Sequence, residues 1–188
     1  MKIAGLDLSM SCPAITIADL DKEWKFENFK VEYLISTKKY ITTIEPFNME
    51  GKSIPKDYKH NEERWHLIAD WVISNVKECE YINLESQSFG SIGSALCQIS
   101  EMHGVVKNYL YKNNINIILT PPSQNKKSFS GKGNATKLEM IESFKSKYKL
   151  DLLNVFNIIG NNLHPVEDIV DSVALVEGLK DILGEKND

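Results

Sequence analysis

Residues 2–8 read KIAGLDL, an apolar run that contains one carboxylate, Asp7, near its end. A short apolar segment of this kind predicts a buried β-strand. A carboxylate in such a strand costs roughly several kcal/mol unless it is paired or binds a cation. Residues 13–20 (PAITIADL) predict a second strand, and the loose alternation in residues 24–36 predicts a third. The chain therefore opens with a predicted meander whose first strand carries an unexplained acid.

The remaining residues alternate between helical and strand patterns. Apolar periodicity predicts helices over 61–77, 95–112, 135–147 and 166–183, and strands over 81–86 and 114–119. Residues 38–61 combine scattered charge with two prolines and a glycine, which predicts a long loop. The resulting order, βββ-α-β-α-β-α-α, predicts an α/β fold with a mixed five-stranded sheet flanked by helices.

Length and composition restrict the class of protein. At 188 residues we expect one domain, 1–188. No apolar run approaches the roughly 18 residues that a membrane span requires, and the start lacks the pattern of a signal peptide, so we expect a cytoplasmic protein without membrane contact. Cys12, Cys79 and Cys97 are odd in number and far apart, which argues against a disulfide framework or a structural zinc site.

Charge is distributed unevenly along the chain. The net charge is −4, yet the stretch from Lys126 to Lys149 contains seven lysines and only two acids. Such a stretch attracts phosphate, although a solvated helix face explains it equally well. Within it, Gly131 and Gly133 would let the backbone approach a phosphate, and Lys137 lies where a predicted helix presents free amides. A flexible turn is the simpler alternative for the glycines.

Three further acids lie at informative positions. Glu85 ends the predicted strand 81–86, and Asp168 and Asp171 share one face of the last predicted helix. A strand-end turn or complementation of the helix dipole would explain each acid alone. Together with Asp7, however, three elements each bring acid into apolar surroundings, where carboxylates repel one another unless cations lie between them. Oxygen ligands suit Mg²⁺ or Mn²⁺, and two such ions about 4 Å apart serve phosphodiester hydrolysis.

The loop after Glu85 and the residues before the last helix offer weaker signals. Phe89 lies in a polar loop, where it is available to stack on an unpaired base or to pack on the neighbouring helix. Gln87 has an amide that can donate to phosphate or to base edges. His164 precedes Pro165 near the acids of the last predicted helix, where it could contact a phosphate or water, although a capping or surface role is its simplest interpretation.

Four blocks of the sequence carry a family resemblance. They are IAGLDLSMSCPAITI, NLESQSFGSIGSALCQISEMHGVV, SGKGNATKLEM and HPVEDIVDSVALVEGL. In this order they resemble the opening strands, the glutamate block, the lysine-bearing loop and the closing helix of RuvC-type Holliday junction resolvases. That family belongs to the RNase H-like, or retroviral integrase, superfamily. Because residues 9–12 lack the family's proline-glycine turn and residues 24–60 have no counterpart, the chain resembles a divergent member of phage, viral or organellar type.

The resemblance implies a fold, a chemistry and an assembly. It implies an RNase H-like fold in which the four acids hold two Mg²⁺ ions, with Mn²⁺ as a substitute. It also implies a homodimer that nicks two opposed strands of a four-way DNA junction and leaves 5′-phosphate and 3′-hydroxyl ends. The residues implied as metal ligands are Asp7, Glu85, Asp168 and Asp171, and the candidate DNA contacts are Lys132, Lys137, Phe89, Gln87, Gly131 and Gly133.

Three alternatives remain open from the sequence. Another RNase H-fold nuclease would act on branched DNA or on RNA–DNA hybrids, although ribonuclease H generally takes its glutamate from a helix. An actin-like ATPase has a similar first strand and turn, but the sequence shows no second phosphate loop. A non-catalytic nucleic-acid-binding module would be expected to have lost an acid, and all four are present.

Overall fold

A mixed β-sheet lies at the centre of the protein in a computed structural model that describes residues 1–87 and 93–184. Its strands are β1 (Lys2–Asp7), β2 (Ala14–Asp19), β3 (Lys30–Ile35), β4 (Thr43–Ile44), β5 (Met49–Ser53), β6 (Tyr81–Glu85) and β7 (Asn116–Thr120). Their order across the sheet is β4-β5-β3-β2-β1-β6-β7. The pairs β1–β6, β6–β7 and β3–β5 are parallel, and the other neighbours are antiparallel.

Helices cover both faces of this sheet. They are α1 (Asn61–Val76), α2 (Ser94–Lys112), α3 (Pro122–Ser130), α4 (Lys137–Tyr148), α5 (Leu152–Val155) and α6 (Val166–Gly184). The predicted α/β class with flanking helices is therefore confirmed. In the described ranges, no helix has both the length and the hydropathy that a membrane span requires.

The sheet differs from the sequence prediction in its number of strands. It has seven strands instead of five, because β4 and β5 form within residues 38–61, which were predicted to be a loop. β5 reads MEGKS and has no apolar alternation, so its pairing with β3 and β4 identifies it as a strand. The third predicted strand shortens to β3, since residues 26–28 form a turn of 3₁₀ helix.

The helix α3 is a further difference. Residues 121 and 122 are both proline, and no helix was predicted between the strand over 114–119 and the helix over 135–147. Pro122 instead occupies the first turn of α3, where a missing amide hydrogen leaves no hydrogen bond unmade. The four helices that were predicted are present with bounds within two residues of the expectation.

Alternation along β1 divides the core into two layers. Ala4 and Leu6 pack with α1 and α2, whereas Ile3 packs with α6 on the opposite face. Since side chains alternate along a strand, Gly5 and Asp7 also lie on the α6 face. Asp7 is thus directed toward α6, the helix that carries Asp168 and Asp171.

The helix α6 rests directly on the backbone of β1. A Cβ atom on Gly5 would lie 2.2 Å from the carbonyl oxygen of Ser172 and 2.6 Å from the amide nitrogen of Val176. The hydroxyls of Thr16 and Ser172 lie 2.7 Å apart, which fixes α6 to β2. This close approach places the first half of α6 beside the carboxyl end of β1.

Candidate active site

Parallel pairing delivers two of the acids to one edge of the sheet. β1 and β6 pair Leu6 with Leu84, so the next residues, Asp7 and Glu85, leave the sheet side by side. Asp168 and Asp171 approach from α6, and Asp168 is only 3% exposed. The charge of Asp7 interacts with those of the other three acids. The structure therefore brings together the four carboxylates singled out in the sequence.

Burial and mutual repulsion raise the pKa values of this cluster. Burial, followed by the charges of Asp168 and Asp171, holds the pKa of Asp7 well above its usual range. Burial, then the charges of Glu85 and Asp168, raises the pKa of Asp171 to about 7. An oxygen-only group of acids that resists full ionisation is a donor set suited to hard divalent cations, which remove the repulsion when they bind.

The pKa of Glu85 is shifted less strongly than that of Asp7. Burial raises the pKa of Glu85, and the nearby Asn125 and Lys126 oppose that rise. Asn125 approaches Glu85 although neither atom of its buried side-chain amide makes a hydrogen bond of normal geometry in the part of the chain described. The charge of Lys126 also lowers the pKa of Asp171, so this lysine lies on the side of the cluster where Glu85 and Asp171 meet.

Glu167 and His164 join the cluster; the sequence placed His164 near the site but gave no reason to include Glu167. Glu167 is 6% exposed. His164 Nδ1 lies 2.5 Å from Asp168 Oδ2 and 3.1 Å from Glu167 Oε1, so this side chain contacts the acids directly, beyond a capping or surface role. The hydrogen bond to Asp168 raises the pKa of His164. A usable signal was that α6 is apolar around most of its circumference, which buries any acid in its first turns.

The loop between β1 and β2 is attached to the same carboxylates. Ser9 donates a hydrogen bond to Asp168 Oδ1 at 3.2 Å and accepts one from the backbone amide of Cys12 at 3.0 Å. Arg64 of α1 donates to the carbonyl oxygen of Met10 at 2.6 Å. The loop is therefore held from both sides, with the thiol of Cys12 buried close to Asp168.

Lysines border the acids on the side of α3 and α4. Lys126 and Lys137 line a cavity of about 220 Å³ together with Glu85, Glu167 and Asp171. Lys137 Nζ lies 2.6 Å from Glu167 Oε2. Positive and negative side chains thus share one cavity at the carboxyl edge of the sheet.

Comparisons with known proteins show the fold. No protein-family model matches the sequence, and no curated protein matches it. A structure of Thermus thermophilus RuvC matches with a TM-score of 0.63 at 16% identity, over 98% of this chain and 97% of that one. The same protein in complex with a Holliday junction substrate matches with a TM-score of 0.62 at 16% identity, over 93% of this chain and 90% of that one. The Fowlpox virus resolvase with substrate Holliday junction DNA matches with a TM-score of 0.52 at 20% identity, over 97% of this chain and 99% of that one.

This chain has the RuvC fold. The RNase H-like fold inferred from the four sequence blocks is thereby confirmed. Glu85 lies at the end of a strand of this RuvC fold, as the sequence indicated, and not on a helix.

The two lysines predicted to contact phosphate lie in different surroundings in this RuvC fold. Lys137 belongs to the acidic cavity, whereas Lys132 pairs with Glu139 at 2.9 Å and does not line that cavity. Gly131 has φ of +81° and ends α3 in a left-handed turn, which explains the glycine without a ligand. A Cβ on Gly133 would lie 3.1 Å from the carbonyl oxygen of Ser123.

The start of α4 is capped by its own side chains. Glu139 donates its amide to Thr136 Oγ1 at 3.2 Å, and Thr136 donates its amide to Glu139 Oε2 at 2.8 Å. These two amides are therefore not free, whereas the expectation was of free amides at this helix start. The capping box does not engage the amide of Lys137.

A second cavity of about 220 Å³ lies on the α2 side of the acids. Its lining includes Asp7, Glu85, Gln87 and His103. Ser100 donates a hydrogen bond to Gln87 Oε1 at 3.0 Å. Burial, followed by the charge of Lys107, lowers the pKa of His103 to about 4, so this side chain is neutral near pH 7. The candidate base contact Phe89 lies outside the described residues.

Proposed function

We propose that the protein is a metal-dependent endonuclease that resolves four-way DNA junctions. The observation that carries the proposal is the convergence of acids from β1, β6 and α6 into one cluster, beside a cavity that Glu85 and Asp171 line together with Lys126 and Lys137. Carboxylate oxygens are ligands for hard cations, and lysines beside them suit the phosphates of a DNA strand. The choice of junction DNA is supported by two similar folds, the Thermus and Fowlpox virus proteins, that are described with Holliday junctions.

Different residues would bind the metal ions and orient their ligands. We propose Asp7, Glu85, Asp168 and Asp171 as the ligands of two Mg²⁺ ions, with Mn²⁺ as a substitute. Bound there, the ions would stabilise the charge that develops on the phosphate and lower the pKa of an attacking water. His164 would orient Asp168 through its hydrogen bond, since it contacts that carboxylate at 2.5 Å.

Lysines and the protein's assembly complete the proposal. Lys137 and Lys126 would hold the backbone phosphate next to the acids, while Lys132, Gln87, Gly131, Gly133 and Phe89 remain candidates for more peripheral DNA contacts. One cluster cuts one strand, so symmetric nicks with 5′-phosphate and 3′-hydroxyl ends require two copies of the single domain 1–188. A homodimer in sedimentation, with or without junction DNA, would support this assembly, and a monomer under both conditions would contradict it.

A substrate panel tests the activity. A mobile four-way junction, a linear duplex and an RNA–DNA hybrid are incubated with the protein in Mg²⁺ or in EDTA. We expect paired nicks in the junction only, and only with Mg²⁺. Preferential cutting of the hybrid would instead support the ribonuclease H alternative, and cutting in EDTA would refute metal dependence.

The variant Asp7→Asn identifies the site. Removing one ligand should reduce junction cleavage to background while junction binding is preserved or improved, because a negative charge next to the phosphates is lost. Asp181→Asn, which alters an exposed acid on the same helix α6, is the control and should cleave like the wild type. Cleavage by Asp7→Asn at the wild-type rate would exclude the acidic cluster as the active site.

A further inference from the structure

Three chemically different ligand groups converge beside the acidic cluster. The thiol of Cys12, the imidazole of His164 and the carboxylate of Asp168 have ligand atoms within 4.8 Å of one another. They come from the β1–β2 loop, the segment before α6 and α6 itself. Cys12 is 1% exposed, whereas a third of the His164 side chain is exposed. The group is thus anchored in the core and accessible from one side.

The donor set differs from that of the four acids. Mg²⁺ takes oxygen ligands and has little affinity for sulfur or imidazole nitrogen. A thiolate, an imidazole and a carboxylate are instead the donors of Zn²⁺ and of Co²⁺. We propose that Cys12, His164 and Asp168 form a transition-metal site, with Zn²⁺ as its ligand, that shares Asp168 with the proposed magnesium centre.

The geometry requires movements of about 1 Å. Zinc bonds of about 2.0–2.3 Å in a tetrahedron place neighbouring ligand atoms about 3.3–3.7 Å apart, so a pair at the 4.8 Å limit would close by roughly 1 Å. His164 Nδ1 and Asp168 Oδ2, which lie 2.5 Å apart in their hydrogen bond, would instead separate by about 1 Å. On binding, the S–H bond of Cys12 breaks, the proton passes to water, and a sulfur–metal bond forms in its place. The fourth position is left for water.

Surrounding groups favour a divalent cation at this position. Glu167 lies beside His164, and the charges of Asp7 and Glu167 reach the thiol of Cys12. Ser9 holds the loop to Asp168 by a hydrogen bond at 3.2 Å, which keeps Cys12 in place. A zinc ion that binds Asp168 withdraws this carboxylate from the magnesium centre. Zn²⁺ should therefore inhibit Mg²⁺-dependent cleavage, a consequence that rests on the proposed function.

Cobalt substitution tests the site without reference to catalysis. Purified protein, reduced and free of metal, is titrated with Co²⁺ while the visible bands of tetrahedral cobalt and the near-ultraviolet thiolate charge-transfer band are recorded. We expect both in the wild type and in Cys97→Ser, which removes an exposed thiol. Cys12→Ala should lose the charge-transfer band. A wild type without that band, or a Cys12→Ala variant that keeps it, overturns the proposal.

A second variant protects the test against misfolding at the buried Cys12 position. His164→Ala removes a partly exposed ligand and should weaken Co²⁺ binding at least tenfold, with the thiolate band reduced at equal concentration. Unchanged affinity in this variant also overturns the proposal. In the cleavage assay, Zn²⁺ should inhibit the wild type and Cys97→Ser alike, each compared with its own rate in Mg²⁺. If cobalt binds through Cys12 but no junction is cleaved under any condition, the metal site stands and the nuclease proposal fails.

Discussion

Asp171→Asn should stabilise the protein when divalent cations are absent. In the folded chain, burial and then the charges of Glu85 and Asp168 raise the pKa of Asp171 from 3.8 to about 7. That rise corresponds to at most roughly 4 kcal/mol of unfavourable free energy when the group is ionised, at about 1.36 kcal/mol per pKa unit. Because asparagine must still bury a polar amide, we expect a net gain of roughly 1–3 kcal/mol in the free energy of unfolding.

The gain has a defined pH dependence. A carboxyl whose pKa is raised on folding binds its proton more tightly in the folded state, so its ionisation opposes folding. Below about pH 4 the group is protonated in both states and contributes nothing. As the pH rises toward and above the folded pKa near 7, the wild type loses stability that the variant keeps. The advantage of Asp171→Asn is therefore largest in mildly alkaline buffer.

Urea denaturation in EDTA, at about pH 5 and about pH 8, measures the effect. Asp181→Asn is the matched control, because it removes one charge from an exposed position of the same helix. Addition of Mg²⁺ should reverse the order, since the wild type gains binding free energy that the variant cannot. An equal advantage at both pH values, no advantage at pH 8, or the same gain in Asp181→Asn would refute the reasoning.

Two further predictions concern packing and DNA contact. Gly5→Ala should destabilise the fold by roughly 3 kcal/mol or more, because its Cβ would overlap the backbone of α6, whereas Gly104→Ala, on an open face of α2, should stabilise by about 0.5–1 kcal/mol. Thermal denaturation measures both, and a neutral Gly5→Ala would contradict the described contact. In an Asp7→Asn background, Lys137→Ala should weaken junction binding and reduce the salt slope by about one, with a smaller effect for Lys132→Ala. Affinity and slope unchanged in Lys137→Ala would remove this lysine from the interface.

Local pattern was sufficient for most of the secondary structure. The apolar run of β1, the helical periods of α1 and α6, and the compact strand β6 each contain their own signal, because a buried face must recur with the period of its element. The strands β4 and β5 carried no such signal. A polar strand is stabilised mainly by hydrogen bonds to its neighbours, and β5 obtains these from β3 and β4, which flank it in the sheet.

The acids show the same division. A carboxylate within an apolar strand is improbable without a partner, so the sequence alone was enough to single out Asp7 as an acid that needs a compensating group. The placement of Cys12 beside Asp168 was not accessible in this way. It depends on how closely α6 approaches β1 at Gly5, and this is a contact between residues more than 160 positions apart.

The sequence by itself determined the strands and helices that have a buried apolar face, and which acids require compensation, because both follow from the polarity of neighbouring residues. Only the tertiary structure decided which side chains surround those acids. Packing of α6 on the sheet selects these neighbours, and it adds a thiol, an imidazole, a fifth carboxylate and two lysines to the cluster.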